Sequence, residues 1–201
     1  MVRLLEGEDT NRMDALSDGV FAIVLTLLVL QFQVPDADAT GVPAALADQR
    51  PLLFSYLLSF AVVGLYWIVH HNLFQRIVRH DRVLLYLNLL FLLTVSFLPF
   101  PTELLGIYGT HFTWTLYALN FSFVGLSLTL LWWYAYRRGF TDETVDHRTG
   151  RLVTVRGLIS PVVFLVSVGV ATVSLSLAFV TPILIVPLQM LWARYYERGR
   201  E

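Results

Sequence analysis

Six long apolar stretches constrain the fold of this 201-residue sequence more than any other feature. A helix needs about 20 apolar residues to cross a bilayer, and its backbone polar groups must pair with one another inside the lipid. The charged fraction of 14% agrees with this assignment, because soluble domains carry about 25%. We therefore predict one all-α, six-helix transmembrane domain over residues 1–201. The predicted spans are 13–32, 52–73, 83–100, 112–136, 152–177 and 182–192.

The positions of the arginines give an orientation for these spans. All 14 basic residues are arginine, and 13 of them fall in the two tails or in the loops after the second and fourth spans. The remaining loops carry only Arg50 together with several acidic residues. Basic residues stay in the cytoplasm, so both termini are predicted to be cytoplasmic. A complement of arginine without lysine fits a GC-rich bacterial genome, so we expect a multi-pass protein of the bacterial cell (inner) membrane.

Several classes of function are excluded by what the sequence lacks. With no cysteine it has neither disulfides nor thiolate metal sites, and a net charge of −1 gives no reason to expect a nucleic-acid partner. The serine, zinc and aspartate-rich motifs of intramembrane enzymes are absent, so no enzymatic activity is predicted. No resident metal or cofactor is expected.

Only one carboxylate, that of Asp18, lies clearly inside a predicted span, since Asp14 is at the very start of the first. A charge at such a depth costs about 2.5–3.5 kcal/mol on insertion scales and is a functional hypothesis by default. Tryptophan, histidine and asparagine side chains are expected at the same depth on the second and third spans, and these residue types can donate to a carboxylate. We predict a polar cluster that joins the first three spans, with either a purely structural or a functional role. Its members are Asp18, Trp67, His70, His71, Asn72 and Asn88.

The first span also has an aliphatic stripe. At 100° per residue, Ile23, Leu27 and Leu30 fall within about 60° of one another, while Asp18 points about 140° away from Ile23. If Asp18 faces the helices of its own subunit, the stripe faces something else. The sequence leaves open whether this is lipid, another helix or a subunit interface, and lipid or helix packing is the commonest case.

The motif around Asp18 resembles the signature of the transmembrane protein 175 family of potassium channels, Arg-x-x-x-Phe-Ser-Asp. Arg12, Ser17 and Asp18 match it, whereas Leu16 stands in place of the phenylalanine. Further similarity lies at residues 66–74, 88–91 and 96–102. The resemblance covers the first three spans well and the last three only through their number.

This resemblance implies a homotetramer with the first spans around a central pore and potassium as the permeant ion. Ile23, Leu27 and Leu30 would form a hydrophobic constriction in place of a carbonyl filter. The supporting polar network would contain Arg12, Ser17, Asp18, Trp67, Asn88 and one of His70 and His71. The expected partners are a second copy of the chain, the lipid bilayer and potassium ions.

A second class of function remains open. A small proton-coupled secondary transporter would use Asp18 and a histidine of the second span as a proton relay. Such a mechanism requires that Asp18 be reached from both sides of the membrane.

Overall fold

Helices make up almost the whole fold of this chain. The computed structural model describes residues 10–36 and 38–198, and six helical segments within them are long and apolar enough to cross a membrane. The prediction of an all-α chain with six apolar spans is confirmed. The spans are Asn11–Gln31, Arg50–Phe74, Arg82–Tyr108, His111–Arg137, His147–Ala171 and Leu175–Trp192.

Within these spans the helices are interrupted at several points. The first span ends in a 3-10 turn, the third breaks after Ser96, the fifth breaks after Gly157, and the sixth contains a 3-10 turn. A short helix, Val42–Asp48, precedes the second span. The helical segments of the interrupted spans are Asn11–Leu27 and Leu28–Gln31, Arg82–Ser96 and Pro99–Tyr108, His147–Gly157 and Ile159–Ala171, and Leu175–Val180, Thr181–Leu184 and Ile185–Arg198.

Three predicted boundaries are wrong. The third span continues to Tyr108 because Pro99 takes a first-turn position, where its missing N–H costs nothing. The fifth span ends at Ala171, and the sixth begins at Leu175. Ser174 lies between them and accepts a hydrogen bond from the Leu177 N–H, which caps the new helix.

The fourth span, His111–Arg137, forms the centre of the protomer, with 67% of its most apolar window buried. It packs antiparallel to the fifth span through small residues. A Cβ on Gly125 would lie 2.7 Å from Pro161 Cδ, and one on Gly157 would lie 2.6 Å from Thr129 Oγ1. Both pairs belong to one antiparallel register. Glycines at these points therefore allow the two helices to approach closely, as is typical of helices in membranes.

The loops after the second and fourth spans meet at one end of the bundle. Ile77 forms an isolated antiparallel bridge with Thr141, and the Asp142 N–H donates to the Arg76 carbonyl at 2.9 Å. Thr10 Oγ1 donates to the Ile77 carbonyl at 3.2 Å, which brings the start of the first span to the same place. We call this the arginine-rich end. Arg3 and Arg200, which also counted toward the predicted orientation, lie outside the described residues.

Candidate functional site: the first span and its partners

The first span has two distinct faces in the protomer. Met13, Ser17, Phe21 and Val24 are buried against the second and third spans, at the three- and four-residue spacing of one helix face. The helix then tightens into the 3-10 turn Leu28–Gln31. This turn is attached to the third span by Gln31, whose Nε2 donates to the Pro99 carbonyl at 3.0 Å. That last contact could not be predicted from the sequence, because it depends on the break in the third span.

A second face of the first span, about 100° around the helix from the buried one, is aliphatic and uncovered. Ile23 is 59% exposed, Leu27 40% and Leu30 72%, and Leu16 lies on the same side with half of its surface exposed. We call these four residues the aliphatic face. Leu16, which replaces the phenylalanine of the family motif, therefore belongs to this outer surface and not to the buried face that holds Ser17. The structure thus places the predicted stripe on the outside of the protomer.

Behind the first span, Ser17, Asn88 and His70 form a buried polar cluster. Asn88 Nδ2 donates to Ser17 Oγ at 3.1 Å, and Ser17 Oγ donates to the Met13 carbonyl at 2.8 Å. His70 Nε2 lies 3.4 Å from Asn88 Oδ1. That oxygen only accepts, so this contact is a hydrogen bond in the tautomer that carries the imidazole proton on Nε2. Three spans therefore meet through side chains that have little other access to polar partners.

His70 and His71 have separate environments. The His70 ring is fully buried between Phe74 and Phe91, with centroid distances of 4.1 and 5.3 Å. His71 instead stacks on Trp67 at 5.8 Å and accepts from Gln75 Nε2 at 2.8 Å. Adjacent residues on a helix point about 100° apart, so only one of the two can face Asn88. His70 is the one that does.

Asp18 does not occupy the interior position that the sequence analysis expected. Its side chain is exposed on the protomer surface, where Oδ1 accepts a hydrogen bond from Trp67 Nε1 at 2.8 Å. Ser17, one residue earlier, takes the buried position instead. The predicted polar cluster thus divides into a buried part around Asn88 and an exposed pair, Trp67 and Asp18.

Arg12 and Asn72, the remaining polar residues that the sequence analysis singled out, are both exposed. Within residues 10–36 and 38–198, Arg12 has no hydrogen bond or ion pair to another side chain. The same described residues contain no group of three or more His, Cys, Asp or Glu side chains that could hold a metal ion. The arrangement provides an apolar surface with a polar anchor behind it.

Comparison with known proteins shows which family the chain resembles over most of its length. The profile of the family described as "Endosomal/lysosomal potassium channel TMEM175" matches residues 12–99. A Streptomyces collinus protein named as a potassium channel is 38% identical over 173 residues, covering 83% of this chain and 84% of that protein. A potassium channel of Chamaesiphon minutus is 32% identical over 186 residues, covering 89% and 92%.

The fold is also similar to a solved structure. A crystal structure of a lysosomal potassium-selective channel TMEM175 homolog from Chamaesiphon minutus superposes with a TM-score of 0.77 at 30% identity. The match covers 92% of this chain and 97% of that one. The similarity extends over all six spans, including the last three, which the sequence motifs did not reach. These relatives are ion channels, in agreement with the prediction that the chain is not an enzyme.

Proposed function

This chain belongs to the TMEM175 family of potassium channels, and from that premise we propose that it is a potassium-selective cation channel whose pore is lined by the aliphatic face of the first span. Four copies would surround a central path as a homotetramer. Ile23, Leu27 and Leu30 would form the constriction in place of backbone carbonyls.

The observation that carries this proposal is that the first span leaves both the aliphatic face and Asp18 exposed in the protomer. Asp18 shows why this exposure is not simply contact with lipid. It lies seven residues into the first span, about 10 Å from its start. A carboxylate at that depth does not face hydrocarbon, because the cost of inserting it is about 2.5–3.5 kcal/mol. The surface around Asp18 therefore meets protein or water in the assembled channel. The aliphatic face is on another side of the same helix, and its proposed position around the central path is supported by its exposure in the protomer.

A hydrophobic constriction can discriminate between cations through their hydration. Four Ile23 side chains would narrow the path so that an ion must lose water without receiving carbonyl oxygens in return. Potassium holds its water less tightly than sodium and would cross such a ring at lower cost. The same ring can also close by dewetting.

In this proposal the buried cluster fixes the rotation of the first span. The bonds of Asn88 to Ser17 and His70 join three spans on a different side of the first helix from Ile23. Rotation of the first helix would break them and leave buried polar groups unpaired. The cluster would therefore hold the aliphatic face toward the pore without contacting the ion itself.

The proposed orientation places the arginine-rich end, and with it both termini, in the cytoplasm of a bacterium. The channel would then reside in the bacterial cell (inner) membrane. Asp36 lies in the loop at the other end of the first span and is available to attract cations to the outer mouth.

The experiment is reconstitution of the purified chain into liposomes, with potassium, sodium and proton gradients applied separately. Ile23→Asn is expected to wet the constriction and reduce the preference for potassium over sodium. Val29→Asn is the matched control, because Val29 is 48% exposed on the same span but points away from the stripe. Unchanged selectivity in Ile23→Asn, or an equal loss in Val29→Asn, would refute the assignment of the constriction.

The proton-coupled transporter makes a different prediction in the same liposomes. Its flux would require a proton gradient, saturate with substrate and stop in Asp18→Asn. In the channel proposal, potassium moves down its own gradient without protons.

Asp18→Asn also tests the assembly surface. The amide removes the charge that Trp67 Nε1 contacts, and we expect a lower yield of tetramer in detergent with the selectivity of the remaining channels unchanged. Normal tetramer yield together with altered ion preference would place Asp18 in the ion path instead.

A further inference from the structure

A cavity of about 360 Å³ lies among the second, fourth, fifth and sixth spans. Its wall includes Tyr66, Thr129, Trp132 and Ser160. The hydroxyls of this wall are already paired: Tyr66 Oη lies 2.8 Å from Ser160 Oγ, and Thr129 donates to the Gly125 carbonyl at 2.7 Å. The deep part of the cavity is therefore suited to apolar atoms.

The mouth of this cavity is at the arginine-rich end and is positively charged. Arg76 and Arg156 both line it, with Trp192 beside them. Arg156 Nη2 donates to Gln189 Oε1 at 3.3 Å, which leaves most of its five N–H groups available for a ligand. No aspartate or glutamate is among the described residues that line the space. Two cations without a lining carboxylate favour an anionic group at the mouth.

A mainly apolar groove of about 240 Å³ continues from the cavity, and the residues that line both spaces are Tyr66, Val69, Arg156, Ser160 and Gln189. The groove reaches Val62, Leu65 and Met190, none of which carries a polar side chain. On the second span the groove is lined from Val62 to Val69, a rise of about 10 Å, and the cavity continues this lining to Leu73, about 16 Å from Val62. One leaflet of a bilayer has about 15 Å of hydrocarbon. The cavity and groove together therefore match the hydrocarbon depth of one leaflet.

We propose that this cavity and groove bind an anionic phospholipid, with the phosphate beside Arg76 and Arg156 and one acyl chain along Leu65 and Met190. The site joins the fifth and sixth spans to the second, and it lies away from the aliphatic face. The cytoplasmic leaflet carries anionic lipids that attract basic protein segments, and the arginine-rich end is proposed to lie at that leaflet. A free anion would use the two arginines but would leave the apolar groove empty.

The test uses the full chain in detergent, with dioleoylphosphatidylglycerol as the anionic lipid and dioleoylphosphatidylcholine as the lipid with identical chains. Thermal unfolding and native mass spectrometry report stabilisation and the number of retained lipids. We expect the anionic lipid to be retained and to raise the midpoint of unfolding, whereas phosphatidylcholine and inorganic phosphate leave it unchanged. Equal effects of the two lipids, or the same shift with inorganic phosphate, would overturn the proposal.

Variants assign the effect to the cavity. The double variant Arg76→Gln with Arg156→Gln is expected to weaken binding of the anionic lipid by about tenfold. The control pair is Arg82→Gln with Arg151→Gln, which removes the same charge from exposed positions that do not line the cavity. If both double variants weaken lipid binding equally, the affinity depends only on the net charge of the protein and not on this cavity. A change of oligomer mass in the first pair would assign the cavity to a contact between copies.

A third variant keeps both arginines. Met190→Trp fills the groove and is expected to reduce retention of the anionic lipid while the midpoint of unfolding in detergent alone is unchanged. Unchanged retention would exclude the groove as the acyl site. None of these measurements involves ion flux, so they can fail or succeed independently of the channel proposal.

Discussion

The first and fourth spans differ in how apolar they are and in how much of their surface is buried in the protomer. The first span is the more apolar of the two, and only 28% of its most apolar window is buried in the protomer. The fourth span is less apolar, and 67% of the corresponding window is buried. In a soluble protein the more apolar helix would be expected inside. Here the order is reversed.

The more apolar helix is the less buried one because the surrounding solvent is lipid rather than water. Lipid tails are as apolar as leucine, so burying aliphatic side chains gives little net stabilisation. Polar and small side chains, by contrast, gain by packing against one another away from lipid. The fourth span accordingly buries Asn120, Ser122, Gly125, Ser127 and Thr129. The first span buries few such groups, so its uncovered face is available for another role.

The largest expected effect is the loss of a core side chain in the fourth span. Phe121 is fully buried, and its ring stacks on Phe164 at 5.0 Å. Phe121→Ala should lower the free energy of unfolding by about 3–5 kcal/mol, because it leaves a cavity. Equilibrium unfolding in mixed micelles measures this. Phe123→Ala, on the exposed side of the same helix, is the control, and an equal loss there would contradict the assignment of the core.

A smaller effect is expected at the contact between the fourth and fifth spans. Gly125→Ala places a methyl group 2.7 Å from both Pro161 Cδ and Tyr66 Oη, so the helices must separate. Overpacking of this kind costs about 1–3 kcal/mol. Gly64→Ala is the matched control, since nothing lies within 4 Å of its added Cβ. If thermal unfolding shifts equally in the two variants, close approach at Gly125 is not what stabilises the pair.

The smallest expected effects on unfolding come from removing single hydrogen bonds in the two parts of the polar cluster. Asn88→Leu removes the partner of the buried His70 and should cost about 1 kcal/mol, the scale of hydrogen bonds between membrane helices. Trp67→Phe removes only the exposed bond to Asp18 and should cost about half as much in the unfolding of the protomer. Unfolding midpoints of the two variants in the same detergent decide the order. The reverse order would make the Trp67–Asp18 pair the main anchor.

The spans and the aliphatic stripe were predictable because both depend on local periodicity. Apolar runs of sufficient length identify helices without any tertiary information, and the angle between Ile23 and Asp18 follows from helix geometry alone. The break between the fifth and sixth spans was predicted too late in the chain, at 178–181 instead of 172–174. Residues 172–174 are only weakly polar, and the cap at Ser174 is a local hydrogen bond that hydropathy does not register.

The polar cluster was predicted only in its membership. Shared depth identified Trp67, Asn88 and the two histidines, but depth does not say which side of a helix each side chain occupies. Whether Ser17 or Asp18 is buried depends on a rotation of 100° about the first helix, and the packing of Phe21 and Phe91 fixes that rotation. Only the tertiary structure contains this information.

The central claim, that the aliphatic face lines the ion path, is most directly tested with single cysteines. The chain contains no cysteine, so each introduced thiol is the only one. Ile23→Cys and Leu126→Cys replace exposed aliphatic residues of the first and fourth spans.

Potassium flux from liposomes is measured before and after addition of a charged, membrane-impermeant thiol reagent. The account predicts that the reagent blocks flux through Ile23→Cys and leaves Leu126→Cys unaffected. Persistent flux through Ile23→Cys together with complete modification of its thiol, or block in Leu126→Cys, would contradict it.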